Sequence, residues 1–155
     1  MKNDFSEIQS EIDAMQPDLV RIRRDLHRHP ETGWLEMRTT AILAKELRAL
    51  GYEIYTGRAV CKEGVRLGLP DAQVLAAHAE QALAQGAPED ELTADVRAGY
   101  TGVIAILRCG EGPTVAMRFD IDALPMTECP QDAHRPTREG FASVNPGMMH
   151  ACGHD

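Results

Sequence analysis

The run Gly147-Met148-Met149-His150-Ala151-Cys152-Gly153-His154-Asp155 concentrates side chains that bind metals. In an extended backbone the period of two places His150, Cys152 and His154 on one side. A thiolate and an imidazole two residues apart can share one divalent ion, and both suit Zn²⁺ and its neighbours. Asp155 suits either ligation or the orientation of an imidazole from outside the coordination sphere. The plain alternative is a polar stretch with coincident His and Cys, because Cys-x-His is less specific than paired Cys-x-x-Cys motifs. A second cluster, Asp120-Ile121-Asp122, closes a strand predicted to begin near Thr114. Carboxylates at strand ends are where α/β enzymes place ligands and their supports. The alternative is two solvated turn residues, with Arg118 paired to one of them.

The elements that must position these groups follow from periodicity. Phe5, Ile8, Ile12 and Met15 predict an amphipathic helix over 4–15. Pro17 is expected to interrupt it, and a second helix is predicted over 17–28. His29-Pro30 ends that helix, since the residue before proline avoids helical geometry. A third is predicted over 36–50, stopped by Gly51 in a left-handed cap. A short strand is predicted over 52–56. The block 57–98 reads as a helical insertion, with helices over 71–85 (Asp71 as N-cap) and 89–97, the latter started by Glu89-Asp90-Glu91. Strands over 100–109 and 114–119 are predicted to form a hairpin around Gly110–Pro113. Their edge and one face would stay uncovered, which favours association. His27 and His29 are expected to serve the end of their helix, His78 and His134 to lie at the surface, and Trp34 to pack between helices.

The length of 155 residues suits one domain with a mostly aliphatic core, since aromatic residues are 5%. A net charge of −8, from 16 Lys+Arg against 24 Asp+Glu, argues against nucleic-acid partners and anionic membranes. The longest apolar runs, such as 103–107, are too short to span a bilayer. The first residues lack the basic start and apolar stretch of a secretory signal, so a cytoplasmic location with reduced thiols is expected. Cys61, Cys109 and Cys129 then read as small semi-apolar fillers.

Three stretches together resemble the metal-dependent amidohydrolase and metallopeptidase family of hippurate hydrolase and the indole-3-acetyl-amino-acid hydrolases. Arg23-Arg24-Asp25-Leu26-His27-Arg28-His29-Pro30-Glu31 resembles the family's RR-x-LH-x-x-PE signature. Arg118-Phe119-Asp120-Ile121-Asp122-Ala123-Leu124-Pro125 resembles its R-x-D-x-DALP strand end, and the 147–155 run its metal motif. The resemblance implies an α/β fold: the N-terminal part of a zinc-exopeptidase-like catalytic domain, helices followed by a mixed β-sheet, with 57–98 as a helical insertion. It implies two divalent ions (Mn or Zn) and a metal-activated water that attacks the amide of an N-acyl amino acid. The first substrate expected is p-aminobenzoyl-glutamate, with indole-3-acetyl-aspartate or hippurate-like compounds as alternatives. Cys152 and His154 match the family's metal ligands, Asp122 matches a supporting position, and neither Asp120 nor His150 is assigned a metal. The general-base Glu, further ligands and a dimerisation domain are expected beyond residue 155, so the chain alone is expected to be inactive. The full-length protein would be a homodimer or paired with a second subunit. The competing expectations are a catalytically dead relic, an interaction partner, or a small metal-binding module.

Overall fold

A computed structural model describes residues 5–153; His154 and Asp155 lie outside them. Helix α1 spans Ser6–Arg28 without a break, Pro17 included. Proline removes the bond to the Asp13 carbonyl, but this stretch is exposed on all sides and water can take that carbonyl. The predicted interruption therefore does not occur. After the Pro30 turn comes α2, Met37–Ala49, closed by Gly51 at φ 86° as expected. Trp34 sits in the turn between the helices at φ 68°, its indole N–H donating to the Leu67 carbonyl at 2.7 Å.

Strand β1, Glu53–Tyr55, leads through a 3₁₀ turn at Gly57–Ala59 to α3, Ala72–Ala84. The Asp71 side chain caps α3 by accepting from the backbone N–H of Gln73 and Val74, both at 2.9 Å. The predicted helix over 89–97 shrinks to α4, Ala94–Arg97, capped by Thr93. Glu89-Asp90-Glu91 forms a turn instead, and Glu91 is drawn to Arg48 of α2 at 2.8 Å. The core joins α2 to the 57–98 block: Leu35, Met37 and Ala41 pack with Leu75, Ala79, Ala82, Ala87, Leu92 and Val96.

Strand β2 is Ile104–Ile106, pairing antiparallel with β1 so that Ile54 faces Ala105. The predicted hairpin is not formed, because 114–119 joins no sheet among the described residues. With Val115, Met117 and Phe119 exposed and no layer to cover them, a lone added strand gains too little to hold. A last short helix, α5, spans Arg135–Arg138. No helix among the described residues is long and apolar enough to cross a membrane.

Candidate functional site

The three motif-bearing stretches, far apart in the chain, meet in space. The Ala123 N–H donates to the Glu31 carbonyl at 2.7 Å, and Thr32 and Ala123 form a parallel bridge. One position later, Leu124 pairs antiparallel with Met149 through two backbone bonds of 2.9 and 3.1 Å. The segment leading to Cys152 is tied back to the first motif as well. The Val144 N–H donates to the Arg28 carbonyl at 2.9 Å, and the Asn145 amide N–H donates to the Pro30 carbonyl at 2.9 Å. Asn145 is buried, and its oxygen accepts from Gln81 of α3 at 2.8 Å and from Gln85, just after the helix, at 2.6 Å. The 57–98 block thus braces the loop that leads to Cys152.

Two buried carboxyl groups hold this assembly. Glu31 caps α2 from outside: its oxygens accept from the N–H groups of Arg38 and Thr39 at 2.9 and 2.8 Å, and from His78 at 3.0 Å. His78 is therefore buried, contrary to the surface expectation. It shares the helical spacing of the buried Leu75, Ala79 and Ala82, a signal that its polarity hid. Glu128 joins the other side: one oxygen meets the Nε2 atoms of His27 and His134 at 2.8 and 2.7 Å. The other accepts from the Ser143 N–H at 2.5 Å. Burial opposes the charge on Glu128, but the Ser143, His27 and His134 contacts outweigh it and hold its carboxyl below the usual value. Hence His134 is half-buried rather than a surface residue, and His27, which lies in the last turn of α1, also meets Glu128. His29 does bond back to the last turn, with Nδ1 at 2.9 Å from the Asp25 carbonyl oxygen.

The groups singled out for chemistry gather around this frame. Asp122 is half-buried, and both it and Glu31 lie near Glu36. Burial, with these neighbouring carboxylates, pushes the Glu36 carboxyl up, while the Thr101 hydroxyl donates to it at 2.7 Å. Asp120 pairs with the exposed Arg118 at 2.5 Å. The His150 ring is buried 6.3 Å from that of His27. Cys152 is a half-buried free thiol, while its expected co-ligand His154 and the supporting Asp155 lie outside the described residues. Among the described residues no three His, Cys, Asp or Glu side chains gather as a metal site. A divalent metal of the kind the resemblance implies thus fits only in part: of the expected ligands only Cys152 is among the described residues, short of the three or four a stable site needs. Sequence reasoning missed Glu31, Glu36, Glu128 and Asn145 as site supports. Glu31 was visible only as the last letter of a motif, and Glu128 and Asn145 carry no local signal.

This arrangement is shared with a solved structure. The crystal structure of the aminobenzoyl-glutamate utilization protein from Klebsiella pneumoniae superimposes with a TM-score of 0.73 at 43% identity, covering 76% of this chain and 30% of that one. The close homologues are hydrolases. Indole-3-acetyl-aspartic acid hydrolase of Enterobacter agglomerans is 48% identical over 145 residues, which is 93% of this chain and 33% of that protein. One subunit of the p-aminobenzoyl-glutamate hydrolase of Escherichia coli (strain K12) is 46% identical with the same coverage of 93% and 33%. No family model matches the chain. The chain spans about a third of the length of these curated relatives.

Proposed function

We propose that this chain is the front portion of the catalytic unit of a metal-dependent amidohydrolase. It would act on the amide bond of an N-acyl amino acid, p-aminobenzoyl-glutamate first and indole-3-acetyl-aspartate second. The observation that carries the reading is the convergence of the three motifs: Glu31 to Ala123, Leu124 to Met149, and Pro30 to Asn145. Two relatives whose names specify such substrates, at 48% and 46% identity, support it.

In this reading Cys152 and His154 ligate a divalent ion, Mn or Zn, within a two-metal site, and Asp122 and Asp155 orient the ligands. The bound ions would supply an acidified water and a polarised carbonyl. This chain's own residues set the wall of the site: Glu31 and Asn145 fix the loop, and Glu36, its carboxyl pushed up by burial, lies near Asp122. The remaining ligands and the general-base Glu come from sequence that the relatives carry outside the matched third, so the chain alone does not hydrolyse amides. The whole protein works in the cytoplasm on a small-molecule substrate, as a dimer or with a second subunit. The net charge of −8 supports a role apart from nucleic acids and anionic membranes.

The test joins this chain to the unmatched two thirds of the Enterobacter agglomerans hydrolase as one polypeptide. The joined protein is expected to cleave p-aminobenzoyl-glutamate with added Mn or Zn, and the 155-residue chain to leave it intact. A folded joined protein that cleaves neither substrate overturns the amidohydrolase reading. Turnover by the chain alone, abolished by Cys152→Ala, overturns its inactivity.

A further inference from the structure

Among the described residues, Trp34 is the one non-glycine residue with a positive φ, 68°. That conformation is costly for a bulky side chain, and such strain persists where the surroundings impose it, most often at functional sites. The turn that carries Trp34 is held on both sides. Two residues before it, Thr32 bridges Ala123, the neighbour of Asp122. Two residues after it, Glu36 lies near Asp122. The half-buried indole therefore belongs to a turn fixed against the Asp120–Asp122 end of its run.

The 57–98 block comes up to the same turn. The Trp34 indole N–H donates to the Leu67 carbonyl at 2.7 Å. Leu67 is 89% exposed and Val65 57%, although the run that carries them is tied down. Between them Arg66 donates to the Ala98 carbonyl at 2.8 Å, and its guanidinium lies over the Tyr100 ring, 3.5 Å from the centroid. Side chains this exposed bury little apolar area and add little to stability. Further along the block, His78 meets Glu31, and Gln81 and Gln85 meet Asn145 on the way to Cys152. The block thus borders the joined motifs along its length, and its apolar, outward part is the one beside Trp34.

We propose that Trp34, with Val65 and Leu67, forms the wall that receives the aromatic acyl group of the substrate and so determines acyl specificity. An aromatic acyl group is flat and apolar, and an aromatic ring beside aliphatic side chains matches it. The imposed backbone at Trp34 and the bond to Leu67 set the ring before substrate arrives, so binding bears little ordering cost. None of the three side chains takes or gives a proton in amide hydrolysis, so the wall acts through binding. The inference rests on the amidohydrolase reading above, and it can fail independently of it.

The test uses the single polypeptide that joins this chain to the unmatched part of the Enterobacter agglomerans hydrolase. It measures kcat and KM for p-aminobenzoyl-glutamate and for N-acetyl-glutamate, which keeps the amino acid and lacks the ring. The variants are Leu67→Asp, Trp34→Gly and, as a control just past the far end of α2, Leu50→Asp. Leu67 and Leu50 are exposed and glycine suits φ 68°, so thermal midpoints should change little. Leu67→Asp and Trp34→Gly should each raise KM for p-aminobenzoyl-glutamate about tenfold, with kcat within about twofold, and leave N-acetyl-glutamate unchanged. Leu50→Asp should alter neither substrate. Equal losses with both substrates, or none with either, overturn the proposal. Equilibrium dialysis of p-aminobenzoyl-glutamate against the metal-free protein needs no turnover, and there Leu67→Asp should weaken binding about tenfold. No binding by the unchanged protein, or binding indifferent to Leu67→Asp, overturns the proposal. Binding lost with Leu67→Asp in a protein that never hydrolyses sinks the hydrolase reading and leaves the wall, while hydrolysis indifferent to Leu67→Asp does the reverse.

Discussion

Replacing Glu31 with alanine removes the only side chain that caps α2 among the described residues, since Glu36 at the N-cap position makes no capping bond itself. Two buried backbone N–H groups, those of Arg38 and Thr39, would then lack acceptors. Each buried orphan costs about 1–3 kcal/mol. The lost interaction of a carboxyl with the helix N-terminus adds about 0.5 kcal/mol. His78, 5% exposed, also loses its partner in a site too closed for water to replace it. A destabilisation of about 4 kcal/mol follows, a large part of the roughly 5–15 kcal/mol that holds a domain together. With a urea slope of about 2 kcal/mol/M, the unfolding midpoint should fall by about 2 M. Urea titration followed by circular dichroism at low protein concentration reads this directly. Glu31→Gln keeps one acceptor oxygen but turns an amide donor toward an N–H, so its midpoint should fall between the two. His78→Ala combined with Glu31→Ala should cost less than the sum of the single changes, because they share one contact. A Glu31→Ala midpoint within about 0.3 M of the unchanged chain would refute the reasoning, since 0.3 M corresponds to well under one orphaned group.

Three further outcomes are expected. Asn145→Ala should cost about 2 kcal/mol in the same titration, because it leaves the Pro30 carbonyl and two glutamine amides without their partner. Glu128 has a folded pKa below its unfolded value near 4.5, so its contribution is complete above that value and is lost as pH falls through the folded one. Glu128→Gln should therefore destabilise the chain at neutral pH and converge on it as pH drops below 4.5; thermal melts showing a gap constant with pH would contradict this. Asp71→Ala should lower stability by about 1 kcal/mol through loss of the α3 cap, whereas Asp71→Asn should lose little.

The parts of the fold legible in the sequence are those written in local pattern. The apolar spacing and Gly51 delimit α2, and Asp71 marks the start of α3 because an N-cap acts within three residues. The three motifs were legible too, each as a run of adjacent residues. What holds them together was not, because its partners are remote: Glu31 and His78 are 47 residues apart, His27 and Glu128 101, and Pro30 and Asn145 115. No periodicity encodes such pairs. The strand run 114–119 shows the opposite failure. Its alternation is correct for a strand, but pairing needs a covered face, and none of the described residues covers it. Pro17 misled because the penalty for an interior proline depends on whether the freed carbonyl meets water, which only the exposure of α1 reveals.

Cys152 is proposed to ligate a metal in a site assembled by the three motifs. The most direct measurement loads Co²⁺ into the polypeptide that joins this chain to the unmatched part of the Enterobacter agglomerans hydrolase, and records its near-ultraviolet absorption. A sulfur-to-cobalt charge-transfer band is expected, abolished by Cys152→Ala and left in place by Cys129→Ala. Bound cobalt with no such band, or a band that survives Cys152→Ala, would contradict it.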